Sequence, residues 1–231
     1  MNRPDRPASV LGVDLTADEG RTCAAAILRW DSKWILEAPE RPLDSDCAIV
    51  ELAGALDVVA LDGPRRPPAG FVGFVARGET PPEGAARSRA CEREHVRRIC
   101  PIFYSSPVAS AGVQRWMKRS WALFEALEHR PIEIYPMGGF VASLNGVSKR
   151  APHGLPSKGS RAGHAARIAI VEQVLDSDVS KFIGAPQGNE KAHDRADAIM
   201  AAITAAAHRL GQTVSLGELN DGMIVVPDLR R

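Results

Sequence analysis

No apolar run in this chain approaches the roughly 18 residues needed to span a bilayer, so a membrane partner is not expected. A signal-peptide core is also missing. Met1-Asn2-Arg3-Pro4-Asp5-Arg6-Pro7 leads directly into a strand pattern, which makes a cytoplasmic location the expectation. Cysteine is scarce: Cys23, Cys47, Cys91 and Cys100 contain no Cys-x-x-Cys pair, which speaks against a disulfide framework or a zinc ribbon. Cys91, His95 and Cys100 resemble the start of a zinc site, but a fourth ligand is lacking. Net charge is only +1 over 231 residues, so no global field selects for nucleic acid. Internal repeats are absent as well.

What is present matches an ordinary globular protein, with 45% hydrophobic and 25% charged residues. The length suits one α/β domain over 1–231 with an insertion at 63–110 and a C-terminal extension at 211–231. Charge is uneven along the chain. Between Gly63 and Arg119 stand eleven basic residues: Arg65, Arg66, Arg77, Arg87, Arg89, Arg93, Arg97, Arg98, Arg115, Lys118 and Arg119. Four acids, Glu79, Glu83, Glu92 and Glu94, oppose them, and eleven less four leaves +7. A basic segment of this kind suits a phosphate backbone.

Residues 9–16, 21–30 and 33–38 read as three successive strands, the last two joined by the short turn Asp31-Ser32. Ile49, Leu52, Ala53 and Leu56 have helical spacing over 44–56, with Asp44 or Ser45 as N-cap. A buried parallel strand is expected at 57–62. The excursion 63–110 lies over the active face and holds a short helix around 86–98. Helical spacing returns at 111–128, and a fifth strand at 132–136 stops at Pro136. Residues 146–164 read as a mobile loop, 163–176 and 191–210 as helices, and Met223–Val226 as an edge strand. The predicted fold is a mixed five-stranded α/β sheet, second strand antiparallel, with helices on both faces.

Four acids occupy telling places in this plan. Asp14 ends the first strand and Asp62 the fourth, and the carboxyl ends of neighbouring strands are where open α/β sheets build sites. Asp194 and Asp197 are three apart, so a helix presents both on one face, within an alanine-rich pattern that should meet the sheet. Inward-facing acids are costly without a cation. An all-oxygen set of this type suits two ions of magnesium or manganese, which can clamp both oxygens of a phosphodiester displacement. Glu133, inside the fifth strand, is a candidate fifth acid. Lys158 and Arg161 lie where they could neutralise a phosphate. Arg89, Arg93 and Arg97 recur at i, i+4 and i+8, and Arg115, Lys118 and Arg119 cluster likewise; with Arg98 they form the expected basic rim.

Gly12-Val13-Asp14, Ala60-Leu61-Asp62-Gly63-Pro64, Arg89-x-Cys91-Glu92-Arg93-Glu94, Glu133-x-Tyr135-Pro136, Gly159-x-Arg161 and His193-Asp194-x-x-Asp197-Ala198 occur in that order. This series resembles the family called domain of unknown function 429, described as a predicted RNase H-like nuclease, over about residues 9–210. The Asp194-x-x-Asp197 pair also resembles the acidic pair of Holliday-junction resolvases. Unlike RNase H itself, the 44–56 helix offers no acid in the expected role, since Glu51 lies opposite its apolar side. The resemblance implies an RNase H-like fold and metal-dependent hydrolysis of DNA or RNA, with Asp14, Asp62, Asp194 and Asp197 as ligands. Two alternatives stay open. Gly12-Val13-Asp14-Leu15-Thr16 resembles the first phosphate loop of the actin and hexokinase superfamily, although a glycine-rich adenosine-binding segment is missing. A non-catalytic binding or regulatory module on the same fold is the other, and a homodimer is left open.

Overall fold

Short apolar runs ending in turn residues build the first half of the sheet. A computed structural model of the protein describes residues 7–68, 77, 79, 88–102, 110–128, 131–147 and 154–229. Strands β1 (Ser9–Asp14), β2 (Ala24–Asp31) and β3 (Lys33–Glu37) form an antiparallel meander, and Ser32 takes a positive φ of 62° at the tight β2–β3 turn. Helix α1 (Asp46–Ala53) starts at Ser45, whose hydroxyl accepts from the Ala48 amide at 3.3 Å. It returns the chain to β4 (Val58–Asp62), which pairs parallel with β1. Strand β5 (Pro131–Ile134) then adds parallel to β4. The expected β-β-β-α-β order is present.

Among the described residues the sheet has seven strands rather than five, in the order β3-β2-β1-β4-β5-β7-β6. The extra pair is a C-terminal hairpin, β6 (Thr213–Glu218) and β7 (Gly222–Pro227). Met223–Val226 is therefore no edge strand: β7 lies between β5 and β6, and β6 forms the edge. An uninterrupted Met-Ile-Val-Val run is what an interior strand needs, because both its faces are covered. β6 was hidden by Gly217, which sits at a φ of 99° where a side chain would be strained.

The remaining described helices are α2 (Ala90–Arg98), α3 (Ala111–Ala126), α4 (Pro136–Asn145), α5 (Arg161–Leu175), α6 (Ser180–Ile183) and α7 (Ala192–Arg209). Most of the insertion, including Arg87 and Pro81-Pro82, lies outside the described residues, as do 148–153 of the expected mobile loop. Helix α4 was not expected. Pro136 read as a strand stop also serves as the first helical residue, where its missing N–H costs nothing and its φ is already set. The two glycines that weaken the α4 pattern are needed for fit: a Cβ on Gly138 would meet His95 Nε2 at 2.2 Å, and one on Gly139 would meet Met200 at 2.7 Å.

Helices cover both faces. Leu11, Val13, Ala25, Ile27, Val59 and Leu61 point toward α1 and α3. Val10, Ala24, Ala26, Leu28, Ala60 and Ile134 point toward α4, α5 and α7. Every residue of α7 from Arg195 to Ala207 is buried. No helix among the described residues is long and apolar enough to cross a membrane. The alanines of α7 let its backbone come down onto β1, and Gly12 is the point of closest approach. A Cβ there would lie 2.1 Å from the Ala202 nitrogen and 2.3 Å from the Ala198 oxygen. Backbone cannot yield as a flexible side chain can. Gly12→Ala should therefore cost about 2–3 kcal/mol or more of folding stability, read as a lowered denaturant midpoint; a change below 0.5 kcal/mol would contradict the packing described.

Candidate functional site

Register brings the first two acids together. In the parallel β1–β4 ladder Asp14 is the direct partner of Asp62, and such strands lie about 4.8 Å apart. Both follow Gly12 and Ala60 at a spacing of two, so they emerge on the face that α7 covers. Helix α7 begins at this end of the sheet, and its first turns carry Asp194 and Asp197. Arg195, between them, turns the other way: it is buried, donates to the Ala185 carbonyl at 2.7 Å and to Glu190 at 2.8 Å, and stacks over Phe182. That anchor fixes the helix start, so the two aspartates face the strand ends.

The electrostatics of the cluster are strained. Burial first, then the charges of Asp197 and Asp62, push the Asp14 carboxyl well above its ordinary value, with Lys158 opposing and Asp194 adding to the rise. Asp197 is buried and also raised, chiefly by desolvation, against the attraction of Lys158 and Arg167. The Lys158 ammonium lies 2.8 Å from Asp197 Oδ2 and 3.8 Å from Asp194 Oδ1. Partial burial works against its charge, but Asp197, Asp14 and Asp62 outweigh this and hold its pKa above the ordinary lysine value. His193 Nε2 stands 3.1 Å from Asp194 Oδ1. Among the described residues, no three His, Cys, Asp or Glu side chains already stand at the spacing that grips one ion. Lys158 is a cation seated directly against these acids.

Sequence reasoning missed two further neighbours. Arg167 of α5 is buried, with Nε 4.0 Å from Asp197 Oδ1 and with no hydrogen-bond partner on that atom. Its Nη1 donates to the Pro156 and Gly163 carbonyls, its Nη2 to Met137 Sδ, and its guanidinium lies over Phe140. A signal existed: Gly163, Arg167, Ile170 and Val171 recur at i, i+4, i+7 and i+8, so an arginine sits on the buried stripe. Tyr135, just before α4, has its phenol raised by burial first, then by the charges of Cys100, Asp62 and Asp197. Its ring meets buried His95 edge to face. His95 keeps Nδ1 on the Cys100 carbonyl at 2.9 Å, and burial lowers its pKa to about 4.

The basic residues divide into two groups. Arg89 is completely buried rather than on a rim; it bonds Glu92 Oε1 at 2.9 Å and Glu133 Oε2 at 2.7 Å. Glu133 is thereby taken away from the acid cluster. It pairs in register with Leu61, so it points to the opposite sheet face from Asp62, and it also accepts from the Arg65 amide at 2.8 Å. The helical alignment of Arg89 with Arg93 and Arg97 breaks because Arg89 is the extended N-cap of α2. Arg119 is likewise internal: it bonds Asp46 at 2.7 Å and the Thr16 and Asp18 carbonyls, fastening the loop after β1. Arg98 pairs with Glu94 at 2.8 Å and Arg115 with Asp18 at 2.8 Å, the latter holding the Asp18 carboxyl below its ordinary value. Arg93, Arg97, Arg115, Lys118 and Arg161 are exposed. The loop at 154–160 is braced rather than loose. The Ser157 carbonyl accepts from the Ser160 hydroxyl and amide, and it lies so near Gly163 that a Cβ there would clash at 2.0 Å.

With this geometry in view, the family model described as Protein of unknown function (DUF429) matches residues 12–220, and the chain belongs to that family. No curated protein and no solved structure matches it.

Three measurable consequences follow from the charges. Asp14 and Asp197 bind protons more tightly in the folded chain than in the unfolded one, so their contribution is favourable at low pH and lost as pH rises through their raised pKa values. In chelator, the melting temperature of the wild type should fall more steeply as pH rises above the ordinary carboxylate range than that of Asp14→Asn, whose amide never ionises. Asp14→Asn should melt higher at pH 8; a lower melting point there would refute the strained cluster. Arg89→Ala strands Glu92 and Glu133 in the interior and should cost about 3–5 kcal/mol in a urea titration. Replacing the exposed Arg93 and Arg97 together with alanine should leave stability within about 0.5 kcal/mol per site.

Proposed function

We propose that this member of the family is a divalent-metal-dependent nuclease of RNase H-like architecture, hydrolysing phosphodiester bonds of DNA or RNA. The observation that carries the reading is the register match of Asp14 with Asp62 under the N-terminal turns of a helix bearing Asp194 and Asp197. A central β3-β2-β1-β4-β5 order with β2 antiparallel supports the architecture, the C-terminal hairpin being an addition at one edge.

The donor set fits magnesium or manganese. All four acids offer hard oxygen ligands, and burial first, then neighbouring carboxylates, disfavour ionised Asp14 and Asp197, a cost that a bound divalent cation would offset. When bound, such an ion supplies Lewis acidity toward phosphoryl oxygens. Asp14, Asp62, Asp194 and Asp197 would hold it. In the reaction water adds to phosphorus, one P–O ester bond breaks, and the leaving oxygen takes up a proton. The half-exposed Lys158 ammonium, with exposed Arg161 nearby in sequence, can neutralise charge that grows on the phosphate oxygens. Arg93, Arg97, Arg115 and Lys118 remain exposed to hold the backbone at a distance without reading sequence.

A cleavage assay over single-stranded and duplex DNA, RNA, hybrids and four-way junctions tests this. With Mg2+ or Mn2+ at least one substrate should be cut, and chelator should stop it. Asp14→Asn should lower the rate by about a hundredfold or more while the fold, seen by circular dichroism, persists. Undiminished cleavage by Asp14→Asn, or no cleavage of any substrate with either metal, would sink the reading.

A further inference from the structure

We infer that Lys158 is a built-in cation of the acidic site that stands in for one divalent ion, so that the site takes a single Mg2+ or Mn2+ per chain. The sequence pattern alone called for two. The inference rests on the reading of the four aspartates as cation ligands and narrows it.

Charge balance is the first argument. Four carboxylates face Lys158, at 2.8 Å from Asp197 and 3.8 Å from Asp194, and Arg167, at 4.0 Å from Asp197. With all four carboxylates ionised, as binding of a cation would require, four negative charges less two positive ones leave two, which one divalent ion neutralises. A second ion would leave an excess of two positive charges in a recess where Asp197 is already buried. Placement is the second argument. A solvated lysine needs no brace, yet this one rides on a segment held on both sides. The Pro156 carbonyl accepts from Arg167, and the Ser157 carbonyl accepts from Ser160 while resting against Gly163. The same buried Arg167 that braces the loop has its orphaned Nε nearest Asp197. One side chain therefore sets both the loop and the acid, and the ammonium is directed onto the cluster by construction. The Nε with no partner is a donor still waiting for an anionic oxygen, as a phosphate substrate would supply beside an ion.

Mn2+ binding to the full-length chain tests this, by calorimetry for stoichiometry and by electron paramagnetic resonance for whether ions sit alone or as a coupled pair. The wild type and Lys158→Arg should each bind one Mn2+ per chain with the spectrum of an isolated ion. Lys158→Met should bind either a second Mn2+ with a coupled spectrum or one ion about tenfold more tightly. Its melting temperature should fall in chelator and recover with Mn2+ more than the wild type does, a readout independent of cleavage. Two coupled ions in the wild type would overturn the inference even if Lys158→Met failed to fold. Equal stoichiometry and affinity in wild type and Lys158→Met would overturn it while leaving the metal reading intact. No Mn2+ bound by any form would remove both.

Discussion

The descent of α7 onto β1 over Gly12 is the contact from which the rest of the structure follows. Backbone reaches backbone there, so neither element can slide without opening a gap or a clash. Thirteen consecutive residues of α7 are buried, and most are alanine, whose small side chain allows a helix to lie close to a sheet. Each buried alanine adds little area of its own. The gain comes from continuity, because the helix crosses β2, β1 and β4 and closes the apolar face of all three. Its N-terminal turns are thereby held above the carboxyl ends of β1 and β4, with no freedom to place Asp194 and Asp197 elsewhere.

That rigidity sets up an electrostatic conflict. The packing that stabilises the fold forces like charges into a recess, and Asp14 and Asp197 answer by holding protons more tightly than ordinary carboxyls do. Stability and site composition are thus opposed, as they often are where residues are kept for something other than the fold. Lys158 and Arg167 relieve part of the conflict. They come from the braced loop and from α5. The relief is partial.

Arginine plays two unrelated parts in this molecule. Arg89, Arg119, Arg167 and Arg195 are buried and tie elements together through carboxylates and carbonyls; their forked donors satisfy several acceptors at once. The Arg89–Glu133–Glu92 network joins α2 to β5. Beside it, Asp221 accepts from the Ala90 amide and Glu94 accepts from the Gly217 amide at 2.8 Å, which binds α2 to the C-terminal hairpin. Arg93, Arg97 and Arg161 instead lie exposed. A count of positive charges along the chain merges these two populations, and so the segment looks more uniformly basic than the surface it forms.

Local pattern carried the first half of the sheet, the strand-end aspartates and the paired aspartates on α7. Those features depend on residues close in sequence: apolar runs of strand length, a Ser45 cap, and helical spacing of three. The pairing of Asp14 with Asp62 was also legible, since a helix between two short apolar strands favours parallel neighbours. Tertiary structure alone decided the rest. Whether Glu133 joined the acids depended on which face of β5 it occupied and on a buried arginine 44 residues away in sequence. Helix α4 was masked by Pro136 and two glycines, whose value lies in fitting His95 and Met200 rather than in local propensity. Arg167 entered the site because α5 crosses the loop that carries Lys158. Charge and spacing along a chain state which groups are available; burial and long-range pairing determine which of them meet, because only the packed fold removes the water that would otherwise keep them apart.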